Sequence, residues 1–183
     1  IKIIDTPVSG GKSGAENGSL TMMAAASKET FDEHQDVLKG VGEKIFHVGE
    51  EIRMWQTVKA ALQALIGSTF TAIFESLVLG AKAGVRGEVM HEVFGASGVG
   101  SPLLKNCSKL IMNRAFKGTG SQIQTMYKDL GISMDMAKQN GVAMFTTAAA
   151  YELFQSGISL FPEEDNWSIV RLLEQIADTE VKW

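Results

Sequence analysis

Cysteine is nearly absent from this chain: Cys107 is the only one in 183 residues. No internal disulfide can form, and no Cys/His metal cage can be assembled. A lone thiol of this kind reads as a small buried hydrophobe, and it fits a reducing compartment. Basic clusters are also missing. With a formal net charge of −4, there is no cation excess for gripping phosphate backbones, so nucleic-acid binding is not expected. Long uniformly apolar runs are lacking as well. The least charged stretch, residues 60–81, still holds Glu75, Gln63 and several Ser, Thr and Gly residues, which predicts a buried helix and no membrane span. No secretory leader pattern is present, and the cytoplasm is the expected address.

Several catalytic patterns are missing too. Gly11-Lys12-Ser13 ends like a phosphate loop, but Thr6 stands where that loop needs its first glycine. There is no G-x-S-x-G elbow for a serine hydrolase and no G-x-G-x-x-G dinucleotide turn. His34, His47 and His91 are dispersed, without a partner at ligand spacing, so structural or surface roles are expected for them.

What is present divides in two. Residues 1–50 alternate strand-like and helix-like segments: residues 2–5 up to Pro7, a glycine-rich turn at Ser9-Gly10-Gly11, then residues 20–25. Ser27 stands at an N-cap position for a helix ending near Gly40, and residues 44–49 read as a third strand. The chain opens on Ile1 and runs straight into strand-like sequence, as an excerpt of a longer protein would. Residues 51–183 read as all helical. A pattern over residues 51–85 is interrupted only by Gly67 and Gly80. Further helices are expected at 87–94, 101–116, 122–139, 145–156 and 167–176, with Gly84, Gly100, Gly141 and Gly157 at ends. A helix as long as the first, and as apolar, needs neighbours, including those of a partner subunit.

Lys59 stands out on that long helix. Ala60, Ala61 and Leu62 follow it, and Gln63 lies one turn on, along the same face. A lysine in an apolar helical setting loses solvation, which lowers its pKa and suits it to proton exchange with an alcohol oxygen. An amide four residues later can hold the same oxygen.

The blocks together resemble the β-hydroxyacid dehydrogenase family, which includes 3-hydroxyisobutyrate dehydrogenases, tartronate semialdehyde reductases and L-threonate dehydrogenase-like enzymes. Asp5-Thr6-Pro7-Val8-Ser9-Gly10-Gly11, then Gly14-Ala15, Gly18-Ser19-Leu20-Thr21 and Met23, is similar to that family's D-A-P-V-S-G-G-x-x-G-A-x-x-G-x-L-T-x-M signature. Lys128-Asp129-Leu130 resembles its K-D-L segment, and Asn166-Trp167-Ser168 stands where a D-x-S element occurs. The resemblance implies the last strands and helix of a Rossmann-like domain, then a long linking helix and an all-α, 6-phosphogluconate-dehydrogenase-like domain. It also implies an NAD- or NADP-dependent oxidoreductase acting on a small carboxylate-bearing hydroxyacid. Ser9, Gly10 and Gly11 would bind the substrate, Lys59 would be the general acid/base with Gln63 beside it, and Lys128 would lie against the cofactor. Glu75 matches a glutamate on the family's long helix, expected to be structural.

Two departures accompany the match. Around its lysine the family writes G-x-G-x-x-x-K-x-x-N-N, where this chain has Arg53 and Trp55 for the glycines and Leu62 and Gln63 for the asparagines. Most of the family's dinucleotide domain has no counterpart in these residues, so the chain by itself is expected to be inactive. The rival expectations are a non-catalytic dimerisation module and an interaction protein reusing the fold. A homodimer or larger homo-oligomer is expected.

Overall fold

The structure, a computed structural model, describes residues 1–51 and 53–183. Ile52, which falls in the expected helical pattern of residues 51–85, lies outside the described residues. The chain is mostly α with a short α/β segment, as the sequence implies, and it divides into two compact units, Ile1–Gln63 and Ala64–Trp183.

The first unit is built on a three-stranded sheet in the order β1-β2-β3, with β1 at Val8–Ser9, β2 at Thr21–Ala25 and β3 at Lys44–Gly49. Strand β1 runs antiparallel to β2, with Val8 opposite Met22, and β3 runs parallel to β2, with Met22 opposite Ile45. Central strand β2 carries Met22, Met23, Ala24 and Ala25, all buried, as a strand covered on both faces must be. The expected strand at residues 2–5 is corrected. Only Asp5 pairs, in an isolated bridge to Ala25, because Pro7 offers no N–H to continue the ladder, although its carbonyl accepts from Met23 at 3.1 Å. Pairing therefore resumes after the proline, at Val8.

A short helix, α1 at Gly11–Glu16, follows β1 where the sequence suggested only a turn. Ser27 caps the next helix as expected, its hydroxyl accepting from the Thr30 N–H at 3.3 Å. The helix expected to reach Gly40 is two pieces, α2 at Lys28–Glu33 and α3 at Gln35–Lys39. The break is at His34, whose backbone leaves the helical region and whose ring bonds the Thr30 carbonyl at 2.9 Å. Phe31 and Leu38 pack with Met22, Ala24 and Ala26 in a small core. The His47 ring lies 4.7 Å from that of Phe31 and its Nε2 donates to the Ala26 carbonyl at 2.7 Å, a structural role as expected.

Helix α4, Met54–Lys82, contributes to both units. In the second unit it is joined by α5 (Gly87–Ala96), α6 (Pro102–Met112), α7 (Ile123–Gln139), α8 (Phe145–Leu160), a 3₁₀ turn (Asn166–Ile169) and α9 (Val170–Ala177). By length and composition α4 could cross a membrane, but the core helix of a soluble protein meets the same criterion. Phe70, Phe74 and Leu77 on α4 enter one core with Leu104, Ile111, Ile123, Leu130, Phe154 and Val170, which is how a core helix is used. Cys107 is wholly buried in it, the small hydrophobe expected, and burial pushes its thiol pKa up.

Two glycines have roles that the sequence misassigned. Gly67, read as a weakness of the long helix, is a point of close approach: a Cβ there would lie 2.7 Å from Leu130 Cδ2. Gly157, expected at a helix end, is inside α8, where a Cβ would lie 2.7 Å from Ile169 Cγ1. Packing between elements, invisible to local pattern, fixes both as glycine.

Candidate active site

Three of the sequence-selected groups belong to the first unit. Ser9 closes β1, and Gly10 and Gly11 lead into α1 with φ of 130° and 59°. The first value is hostile to any side chain, which explains the glycine and leaves the backbone approachable. The Gly10 carbonyl accepts from the Gly14 N–H at 3.0 Å, fixing the turn. Ser9 is half-buried, whereas Gly10 and Gly11 are exposed.

Lys59 comes to this segment from α4. Its Nζ donates to the Val8 carbonyl at 3.4 Å across 51 positions of sequence. The contact is long for a hydrogen bond, but it sets an ammonium beside the residue preceding Ser9. Gln63 lies on α4 one turn after Lys59 and is buried. Trp55 lies one turn before Lys59, so the three residues share a helix face. The Trp55 indole Nε1 and the Thr6 hydroxyl are both buried with no hydrogen-bond partner among the described residues. Sequence reasoning noticed Trp55 only as a departure and passed over Thr6. An unpaired polar atom is a property of packing, and no spacing rule predicts it.

Lys128 belongs to the second unit, on α7, where it is exposed and pairs with Asp129 Oδ1 at 3.0 Å. Glu75 is exposed on α4. The Asn166-Trp167-Ser168 element is interior. Asn166 donates to Ser121 Oγ at 2.8 Å, and Ser168 donates to Glu164 Oε2 at 2.7 Å. Asp165, missed in the sequence, accepts from the backbone N–H of Thr119 at 2.7 Å and of Ser121 at 3.2 Å. The Asp165 and Asn166 bonds pin the segment between α6 and α7. His91 and Ser108 share a 2.8 Å hydrogen bond, but Ser108 is wholly buried, so the pair cannot serve as a nucleophile and its base. No cluster of metal-ligating side chains occurs among the described residues.

Comparison with known proteins identifies the family. Residues 55–173 match the family described as NAD-binding of NADP-dependent 3-hydroxyisobutyrate dehydrogenase. Residues 1–49 match the NAD binding domain of 6-phosphogluconate dehydrogenase. A 2-(hydroxymethyl)glutarate dehydrogenase of Eubacterium barkeri is 35% identical over 183 residues, covering 99% of this chain and 60% of the relative. An L-threonate dehydrogenase of Haemophilus influenzae is 30% identical, covering 96% of this chain and 58% of the relative. Among solved structures, a 3-hydroxyisobutyrate dehydrogenase of Salmonella typhimurium superposes with a TM-score of 0.85 at 27% identity, covering 93% of this chain and 60% of the other. The chain thus spans 58–60% of the length of these relatives. With most of its length matched by a 3-hydroxyisobutyrate dehydrogenase family, the chain belongs to the β-hydroxyacid dehydrogenases, oxidoreductases of NAD or NADP.

Proposed function

We propose that this chain is the substrate-handling part of a longer cytoplasmic dehydrogenase that interconverts a small β-hydroxyacid and its semialdehyde or keto acid with NAD or NADP. The domain boundary is placed at residues 50/51, after β3. The observation that carries the reading is the Lys59 ammonium held at the Val8 carbonyl, next to the Ser9-Gly10-Gly11 turn.

The roles follow from the chemistry of each group. Backbone N–H groups of a glycine turn and the Ser9 hydroxyl are donors suited to a substrate carboxylate. Lys59 gives its proton to the carbonyl oxygen in the reductive direction and takes it back from the hydroxyl in the oxidative direction. In both, the buried Gln63 amide holds the same oxygen. Its longer arm does the work of an asparagine from one methylene further out.

Bound nicotinamide supplies or accepts the hydride. The residues described here include Lys128, an exposed cation of the right sign to lie against a dinucleotide phosphate. They contain no G-x-G-x-x-G turn, so no dinucleotide cradle is assigned to them. Exposed Leu65 and Leu79 on α4 favour a homodimer, and they also support the second reading, a dimerisation module without catalysis.

Oxidation of NADH and NADPH by the full-length protein, against short carbonyl acids, separates the two. Turnover that Lys59→Ala lowers at least 100-fold supports the dehydrogenase. Absence of both turnover and cofactor binding leaves the module.

A further inference from the structure

We infer that Trp55, aided by Thr6, selects hydroxyacids whose chain carries a further hydrogen-bond-accepting oxygen beyond the reacting carbon. The inference rests on the dehydrogenase reading of the Lys59 site and names the class of substrate that site prefers.

Two observations on different segments converge. Trp55 Nε1 is a buried donor without a partner among the described residues. Thr6 Oγ1 is a buried hydroxyl in the same condition. The hydrogen bond from Lys59 to Val8 ties the two segments together. Thr6 lies two residues before the accepting carbonyl, and Trp55 lies one helical turn before the lysine, on its face of α4. Buried polar groups in folded proteins are nearly always satisfied, and an exception calls for an explanation such as a ligand. Here two exceptions lie on the two segments that the hydrogen bond from Lys59 to Val8 brings together.

The chemistry of the pair restricts the ligand. An indole N–H can only donate, so the ligand atom must accept. A hydroxyl such as that of Thr6 serves either way. A plain alkyl end on the substrate would leave both groups unpaired, whereas a carboxylate or hydroxyl end satisfies them. A site built to hydrogen-bond a substrate group discriminates strongly against the analogue that lacks it. Arg53, exposed just before Trp55, would favour a carboxylate end. Glu50 and Glu51, both exposed, stand just before it and offset its charge. The neutral donor of Trp55 therefore carries the selection, and Arg53 only tilts it.

The test uses full-length protein and carbonyl acids of equal chain length ending in carboxylate, hydroxyl or methyl. Oxygen-ended substrates should exceed the methyl-ended one about 10-fold or more in kcat/KM. Trp55→Phe keeps the ring and deletes the donor. It should lower that ratio about 10-fold, chiefly through KM, while the unfolding midpoint stays level or rises because an unpaired buried group is gone. Thr6→Val should lower the ratio less, and it decides the matter if Trp55→Phe does not fold. Equal turnover of all three ends, or a ratio indifferent to both variants, overturns the inference and leaves the dehydrogenase reading intact. If nothing is turned over, the dehydrogenase reading fails, and calorimetric titration with glutarate, 5-hydroxypentanoate and pentanoate decides the inference separately. Preference for the first two, lost in Trp55→Phe, supports it, and equal or absent binding overturns it.

Discussion

The two compact units differ in what their polar groups hold. In Ala64–Trp183 the buried charges hold backbone in place. Asp165 accepts two backbone N–H groups. Glu174 takes a bidentate grip from Arg114 and accepts the Val181 N–H at 2.8 Å. Each such bond fixes a turn that local sequence does not determine. In Ile1–Gln63 the apolar core is small, and the cation at the proposed site makes a long contact to the Val8 carbonyl. Two of the buried polar atoms there have no partner among the described residues. The helical unit also holds buried polar atoms without a partner among the described residues, Glu88 Oε2, Asn166 Oδ1 and Arg171 Nε. What sets those of the first unit apart is their place on the two segments that the Lys59–Val8 bond joins.

The sharpest way to test that difference is to remove one side chain from each unit. Lys59→Ala should cut kcat of the full-length enzyme by about 10²–10⁴, the range for loss of a general acid/base. Its unfolding midpoint should move little, since the residue is only half-buried. Steady-state assay and thermal melts on the same preparations check both halves. A large loss of stability would make Lys59 a structural residue and erase the contrast.

Phe154→Ala is the counterpart in the helical unit. Phe154 is wholly buried between α8 and its neighbours, and deletion of a core aromatic costs about 3–5 kcal/mol. Urea unfolding should show the loss as a lower midpoint with an unchanged slope. Gly157→Ala, one turn on, should be destabilising as well, although alanine is the better helix former. The added Cβ would meet Ile169 at 2.7 Å, and overpacking typically costs about 1–3 kcal/mol. A stabilising result would mean that α8 and the 3₁₀ turn can separate freely.

That last case shows where sequence reading succeeds and where it stops. Periodicity and caps located β2, β3, α4 and the later helices, because those signals are local: Ser27 and Ser101 are N-caps, and Gly84 and Gly141 take positive φ just past helix ends. The break at His34 and helix α1 were missed, since a lone hydrogen bond and a glycine-led turn leave no periodic trace. The residues of the Lys59 face were legible from spacing along one helix. Their approach to Val8 was implied only by family resemblance, because no spacing rule spans 51 positions. Asp165 escaped notice because its partners are backbone N–H groups, which every residue has.

Cys107 gives a smaller effect with a defined sign. Burial raises the folded thiol pKa above its unfolded value, so the folded state keeps the proton after the unfolded chain would lose it. The contribution to stability is full below the unfolded value, roughly pH 8.5, and is lost as pH rises beyond it, by at most about 1.4 kcal/mol per pH unit. Cys107→Ala should flatten the alkaline limb of the stability curve. Iodoacetamide should leave the native thiol untouched and label it on unfolding, and rapid native labelling would contradict the burial.

The smallest effects come from a matched pair of caps, one in each unit. The Ser27 hydroxyl accepts from Thr30 N–H at 3.3 Å, and that of Ser101 accepts from Leu104 N–H at 3.2 Å. Replacing either with alanine removes the same bond from the same helix position, at about 1 kcal/mol. If the two units unfold as one, both variants should lower a single transition by similar amounts. If they unfold separately, Ser27→Ala should shift only a transition reported by the β-α unit, and Ser101→Ala only that of the helical unit. Helix α4 contributes to both units, and a break in it would cost backbone hydrogen bonds that no cap restores. One transition, shifted equally, is therefore expected by differential scanning calorimetry, and two resolved transitions would make the units independent folding blocks.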